Sequence, residues 1–280
     1  DYCHSKLTPE GVVASDTDEL EGRFPAGDAN LCTSTLYYDA LLSAAYLGKE
    51  LGKSPKVVAD YQRRAKAMRQ AIESHFGANV KGYETYRYYE GNDILRSWIC
   101  MPLCVGIYDR AEATMDAMFK SDLFTRDGLL TAQGSSTFWD RSTLYAFRGA
   151  YAAGYADFIT EHLAYYSNRR LLGDHVPYPI EAWPEGSQRH LSAESGLYCR
   201  IITEGMFGIR PTGMRSFELK VEIPADWEFA NLRHIRAFGA DFDIEAKRTA
   251  NSKMQIKVSE QGGKVQTYNV KPGTLINVKL

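Results

Sequence analysis

The chain has 280 residues, 44% hydrophobic and 24% charged, a globular profile with room for one large domain or one domain and a smaller one. Its formal net charge of −2 leaves no basic footprint for nucleic acid or an anionic membrane, and no apolar run approaches the length of a membrane span. No secretory signal opens it; the first residues, DYCHSKLTPEG, read as though cut from something longer, so the compartment (periplasmic, secreted or cytoplasmic) is left open.

From Thr35, the residues Leu36, Ala40, Ala44, Leu47 and Leu51 recur at helical spacing and predict a helix that closes near Gly52. Ser54-Pro55 reads as an N-cap and first turn, and Tyr61, Ala65, Met68, Ile72 and Phe76 carry a second helix with QRRAKAMRQ on its wet side. Residues 93–107, DILRSWICMPLCVGI, are apolar nearly all round, which predicts a helix buried on every side. Residues 109–120 are amphipathic and predict its outer partner. A third pair follows, FWDRSTLYAFRGAYAAGY apolar with small residues and ADFITEHLAYYSNRR striped, and residues 192–209 begin a seventh helix. Alternating buried and surface helices predict a mainly α fold. The expected form is a partial α/α toroid of helical hairpins over residues 1–212, with a plain helical bundle as the competing arrangement.

After RPTG the period changes to two. Phe217, Leu219, Val221 and Ile223 alternate with polar residues, and DFDIEAKRT, KMQIKVSE, KVQTYNV and TLINVKL continue the pattern around the turn EQGGK. These runs predict a C-terminal antiparallel β domain, 213–280, a sheet or small sandwich capping the helices.

Signature motifs for phosphate loops, dinucleotides, zinc proteases and serine hydrolases are absent. GDAN and EGND do not continue into a calcium loop, the histidines lack ligand spacing, and no metal or cofactor is expected. The five cysteines form no CxxC pair and read as buried free thiols, their odd count leaning towards a reducing compartment.

What recurs is an aromatic beside a carboxylate at or just before a buried helix. The first cluster holds Glu90, Asp93, Arg96 and Trp98, and the second Trp139, Asp140 and Arg141. The third, YPIEAWPEGSQRHLSAES, holds Glu181, Trp183, Glu185, His190 and Glu194. Loops feeding an inner ring of helices would bring the three to one pit. Ring faces cover the apolar side of a pyranose while Asp, Glu and Arg bind its hydroxyls, and glycoside cleavage needs two carboxyl groups. Each residue also has a plainer reading. Trp98 fits a core, Asp93 a helix-start carboxylate, Asp140 with Arg141 a structural ion pair, and Glu194 a capping box. Glu181, in an irregular Pro-rich stretch, is explained poorly by capping.

The third cluster, YPIEAWPEG…RHLSAESGLYCRIITEGMFGIRP, resembles the end of the α-L-rhamnosidase barrel among the six-hairpin glycoside hydrolases. GDANLCTSTLYYDALLSAAYLGKELGK and NDILRSWICMPLCVGI are similar to helices of the glycogen-debranching and cellobiose-phosphorylase-like branch, with Ser97 and Trp98 where that branch has Asn and Gln. The resemblance implies an (α/α)6 toroid whose early helices lie outside this chain, so that the remaining N-terminal portion of the same polypeptide is a partner. It also implies an inverting glycoside hydrolase of bacterial type acting on a plant- or host-type oligosaccharide. Glu181 would be the general base, with Trp183 and His190 beside it. The general acid would come from ASDTDELEGRFPAGD, where Asp16, Asp18, Glu19 and Asp28 are candidates and Asp18 is chosen. Asp93, Arg96, Trp98, Trp139, Asp140, Arg141, Trp183, Glu185 and His190 would bind the sugar. Competing readings are a phosphorylase, for which Arg141, Arg189 and Arg200 would serve, a lyase or epimerase using Tyr178 and His190, and a sugar-binding module without turnover.

Overall fold

A computed structural model of the chain describes residues 1–17, 24–172, 182–183, 192–250 and 253–280, with the backbone alone at 182, 183 and 192. After a single turn, α1 (Tyr2–Ser5), the first long helix is α2 (Leu31–Glu50). It starts four residues before the predicted start because the buried Asn30 caps it, accepting a hydrogen bond from the Thr33 N–H at 2.9 Å. Gly52, at φ +63°, turns the chain into α3 (Pro55–Phe76), where Pro55 occupies the first turn at no hydrogen-bonding cost. Ala65, Met68, Ile72 and Phe76 are its buried stripe, packed against α2.

The hairpin β1 (Gly77–Val80) and β2 (Tyr83–Tyr86) follows, turned by Lys81 and Gly82, both at positive φ as a two-residue hairpin loop requires. Residues 93–107 depart from the predicted helix. Arg96 is extended, Ser97–Cys100 form a 3-10 turn and α4 (Met101–Cys104) is one turn long. Pro102 is the physical reason: it has no N–H to give the Trp98 carbonyl and its ring crowds that carbonyl. The burial expectation fares better, since Leu95 through Leu103 are all buried. Helix α5 (Ala111–Phe119) and the small hairpin β3 (Phe124–Thr125) and β4 (Gly128–Leu129) lead to β5 (Phe138–Trp139). Then come α6 (Asp140–Ala152), nearly all buried, α7 (Ala156–Arg170), β6 (Ala182–Trp183) and α8 (Ser192–Arg200). A π turn, Ile201–Met206, extends α8, with the Phe207 N–H reaching the Ile202 carbonyl at 2.9 Å.

The C-terminal strands form two antiparallel sheets. One has β7 (Arg210–Gly213), β8 (Ser216–Leu219) and β13 (Ile276–Lys279), in the order β13-β8-β7. The other is a meander of β9 (Phe229–Ala237), β10 (Ala240–Thr249), β11 (Lys253–Glu260) and β12 (Val265–Val270). Their inner faces meet at Phe217, whose ring lies 5.0 Å from Phe238 and 5.4 Å from Phe242.

These elements correct the expected fold class. A mainly α, partial toroid of helical hairpins with a β appendage is not what forms. Among the described residues strands make five antiparallel sheets, three of them small pairs interleaved with the helices, and the predicted buried helix at 93–107 is reduced to single turns. The fold is mixed α and β.

Candidate functional site

A run of short backbone bridges ties the N-terminal ends of α2, the 3-10 turn and α6 to β6. Asn30 pairs with Tyr89, Arg96 with Ala132, and Leu130 with Phe138. In β5–β6, Phe138 pairs with Trp183 and Trp139 with Ala182. The Ser97 N–H also donates to the Thr131 carbonyl at 3.2 Å. Segments far apart in the chain are thereby held side by side, and their charged side chains pair across the joints.

Arg96 is buried on extended backbone. Its guanidinium lies 4.6 Å from the Tyr88 ring centroid and 5.1 Å from that of Phe24, and Nη1 donates to the Pro25 carbonyl at 2.9 Å. The Asn92 side chain folds back to accept from the Tyr88 N–H at 3.0 Å, which fixes that loop. Trp98 is fully buried, edge-on to Tyr145 at 5.7 Å, and its indole N–H has no acceptor among the described residues.

Trp139, also buried, is the residue before α6, and its carbonyl accepts from the Thr143 hydroxyl at 2.8 Å. Asp140 opens the helix, where a carboxylate meets the positive end of the helix dipole, and it is ion-paired with the buried Arg170 from the end of α7. Burial, and then the Asp140 charge, hold the neighbouring Tyr166 hydroxyl well above its ordinary pKa. Arg141 lies over the Trp139 ring at 5.2 Å and donates through Nε to Glu194 at 2.8 Å. Glu194 is fully buried in the first turn of α8, and its second oxygen has no partner among the described residues.

The second and third sequence clusters are therefore joined twice, through β5–β6 and through Arg141–Glu194, and the first adjoins the second through Trp98–Tyr145. Asp93 is exposed and takes no part in these contacts. Asp18, Glu181, Glu185 and His190 lie outside the described residues, as does the Trp183 side chain, and so do Glu19, Tyr178 and Arg189. Sequence reasoning missed Arg170 and Tyr88. Arg170 sits in a basic helix end that reads as solvated, and Tyr88 in a tyrosine-rich loop with no period. Glu194 forms an ion pair, where the sequence also allowed a capping box.

A separate cleft of about 600 Å³ opens where the helices meet the β sheets, walled by Tyr38, Cys104, Tyr108, Arg148, Glu204 and Arg210. Two ion pairs lie along it, Arg148 with Glu204 at 2.8 Å and Arg210 with Asp39, and burial pushes the Tyr108 hydroxyl up to about 12. Of the predicted sugar-binding residues whose side chains are described, Asp93, Arg96, Trp98, Trp139, Asp140 and Arg141, none lines it. Among the described residues no group of His, Cys, Asp and Glu side chains could hold a metal ion, and no helix is long and apolar enough to cross a membrane.

No protein-family model matches the chain, and no curated protein matches it by sequence. Solved structures of glycoside hydrolases are similar in fold. A protein described as a sialidase superposes with a TM-score of 0.70 at 13% identity, over 99% of this chain and 29% of its own. The neutral trehalase of Saccharomyces cerevisiae gives 0.51 at 15% identity, over 68% of this chain and 40% of its own. The α-L-rhamnosidase of Dictyoglumus thermophilum gives 0.52 at 13% identity, over 88% and 31%. The chain thus spans well under half the length of each of these structures, and at such identities the likeness is one of fold.

Proposed function

We propose that the chain contributes the sugar-binding and catalytic surface of a glycoside hydrolase. The observation that carries this reading is the β5–β6 pairing, which sets the backbone of Ala182 and Trp183, the two residues that follow Glu181 in sequence, beside Trp139 and Phe138, next to Asp140 and Arg141. The fold likeness to a sialidase, a trehalase and an α-L-rhamnosidase supports the same reaction class. In this reading Glu181, ionised, takes a proton from the water attacking the anomeric carbon, and Asp18 protonates the departing oxygen, giving inversion. Its substrate is a plant- or host-type oligosaccharide. Trp139 and Trp183 offer ring faces, and Asp93, Arg96, Asp140, Arg141, Glu185 and His190 bind hydroxyls. Trp98 backs the surface through Tyr145. An inverting pair stands roughly 6.5–9.5 Å apart to admit the water.

The test is Glu181→Gln, assayed on a panel of plant and host oligosaccharides with the product anomer followed by NMR. Loss of general-base help costs about 10²–10⁴ in turnover while sugar binding is kept. Turnover close to wild type overturns the assignment of Glu181. Product formation that needs inorganic phosphate, or sugar binding by the wild type with no turnover at all, overturns the hydrolase reading.

A further inference from the structure

The 600 Å³ cleft stands at the far end of the helices from the candidate site. On α6 its wall residues are Arg148 and Ala152, eight and twelve positions beyond Asp140, a rise of about 12–18 Å. On α2 they include Tyr38, Asp39, Leu42 and Tyr46, all well past the capped end at Asn30. The π turn, β7 and β8 complete the wall, so the cleft lies at a joint between helices and sheets, a common place for a small-molecule ligand. Its charges narrow the chemistry of an occupant. Glu204 is held by two guanidiniums, Arg148 at 2.8 Å and Arg200 through Nη2 at 2.8 Å, and Arg210 is paired with Asp39. Lys220 lies 3.4 Å from Glu222 and 5.4 Å from the Tyr108 ring centroid. Side chains of the two signs nearly balance along the wall, so no strong field draws in a free ion.

Glu218 is the exception. It stands directly across β7–β8 from Arg210 and lines the cleft half-buried, yet its carboxylate makes no hydrogen bond or ion pair among the described residues. Burial, and then the Glu218 charge, hold the Tyr46 hydroxyl above its ordinary pKa, an effect that needs the two groups to be neighbours. An ionised carboxylate only accepts hydrogen bonds, so an idle one calls for a donor and repels an anion. Tyr46 and Tyr108 add ring surface, with hydroxyls that donate and accept. We propose that this cleft is a second saccharide site, binding a short neutral oligosaccharide whose hydroxyls donate to Glu218 and whose rings lie against Tyr46 and Tyr108. The cleft itself selects a neutral ligand rich in hydroxyls; the choice of a saccharide within that class rests on the glycoside hydrolase reading. The site performs no reaction. It holds a stretch of glycan away from the surface built around β5–β6.

Isothermal titration calorimetry of the 280-residue chain tests it. The titrants are neutral gluco-, manno-, galacto- and rhamno-oligosaccharides, with an oligogalacturonate as the charged probe. Glu218→Ala is expected to weaken binding of the neutral ligand by about tenfold, the loss of hydrogen bonds to a charged acceptor. Tyr108→Ala is expected to weaken it by roughly threefold to tenfold. Circular dichroism and an unchanged urea midpoint verify folding, and Glu218→Gln takes the place of Glu218→Ala should that variant unfold. Turnover of a short substrate by the Glu218 variant is expected to stay within about twofold of wild type. Affinity unchanged by both substitutions, no binding of any neutral titrant, or tighter binding of the oligogalacturonate overturns the proposal. A fall in turnover that matches the fall in binding makes the cleft the reacting site and overturns it too. Binding weakened by Glu218→Ala while Glu181→Gln still hydrolyses normally leaves this site standing and removes the role given to Glu181.

Discussion

Glu194 and Arg141, members of two sequence clusters far apart in the chain, meet in the fold as an ion pair. A carboxylate with no solvent exposure held 2.8 Å from a guanidinium is a desolvated ion pair, and removing one charge of such a pair leaves the other buried. Glu194→Gln, which keeps the shape and loses the charge, is expected to cost about 2–3 kcal/mol, at the low side of the buried-pair range because Arg141 retains some water contact. Urea denaturation measures it. The exposed pair Arg87–Glu90, at 4.0 Å, gives the contrast: Glu90→Gln should move stability by less than ~0.5 kcal/mol. Equal small effects would mean that Glu194 is hydrated and free for other work. At this scale the sequence could mark residues worth attention, because aromatics beside acids are rare in plain loops. It could not assign partners. Asp140 meets Arg170, thirty positions away, and nothing in the spacing of either points to the other.

The elements differ in how much of themselves they disclosed. In α3 the amphipathic period fixes the buried face, and Ala65, Met68, Ile72 and Phe76 are the residues that face inward. In α2 the residues that showed the helical period, Leu36, Ala40, Ala44, Leu47 and Leu51, mark the helix, yet Leu36, Ala40, Leu47 and Leu51 face out. With apolar residues on both sides of the helix, period alone cannot say which side packs. In residues 93–107 composition foretold burial correctly, while Pro102 denied the helix. The small hairpins were passed over because strands of two to four residues are too short to show alternation. Packing between elements makes its own demands, visible at two glycines. A Cβ on Gly149 of α6 would stand 2.9 Å from the Leu103 Cβ and 3.3 Å from the Cys100 carbonyl, whereas one on Gly196 of α8 would meet nothing within 4 Å. Alanine raises helix propensity by ~1 kcal/mol at either site, but overpacking costs about 1–3 kcal/mol. Gly196→Ala is therefore expected to stabilise by roughly 0.5–1 kcal/mol and Gly149→Ala to destabilise by about 1 kcal/mol or more. Chemical denaturation of the two variants gives opposite signs if α6 truly seats on the 97–104 segment. Two gains of like size would show that it does not.

At the scale of the whole molecule, the change of period after RPTG, residues 210–213, is plain in the sequence, yet it says nothing of how the helices and sheets are joined. The joint is extensive. The Glu222 N–H donates to the Met206 carbonyl at 2.7 Å and the Lys220 N–H to that of Phe207 at 3.2 Å, so the π turn runs directly into the strands. The Lys220 ammonium reaches the Ala152 carbonyl at 2.8 Å near the end of α6, Arg210 pairs with Asp39 of α2, and Glu50 accepts from the Met214 N–H at 3.1 Å. Phe207, Phe217, Val221 and Ile223 belong to one buried cluster with the helical residues. Cutting after Thr212 would strip partners from α2, α6 and the π turn together, and would leave β7 without β8. Residues 1–212 alone are therefore expected to lose the cooperative transition, to bind the dye ANS, and to elute as an expanded species, while the 280-residue chain melts in one step by near- and far-ultraviolet circular dichroism alike. Should the fragment instead melt cooperatively within about 5 °C of the whole chain, the bonds across the joint would be worth only ~1–2 kcal/mol. The helices would then stand as a domain in their own right, and the sheets would be a cover whose removal leaves the candidate site intact.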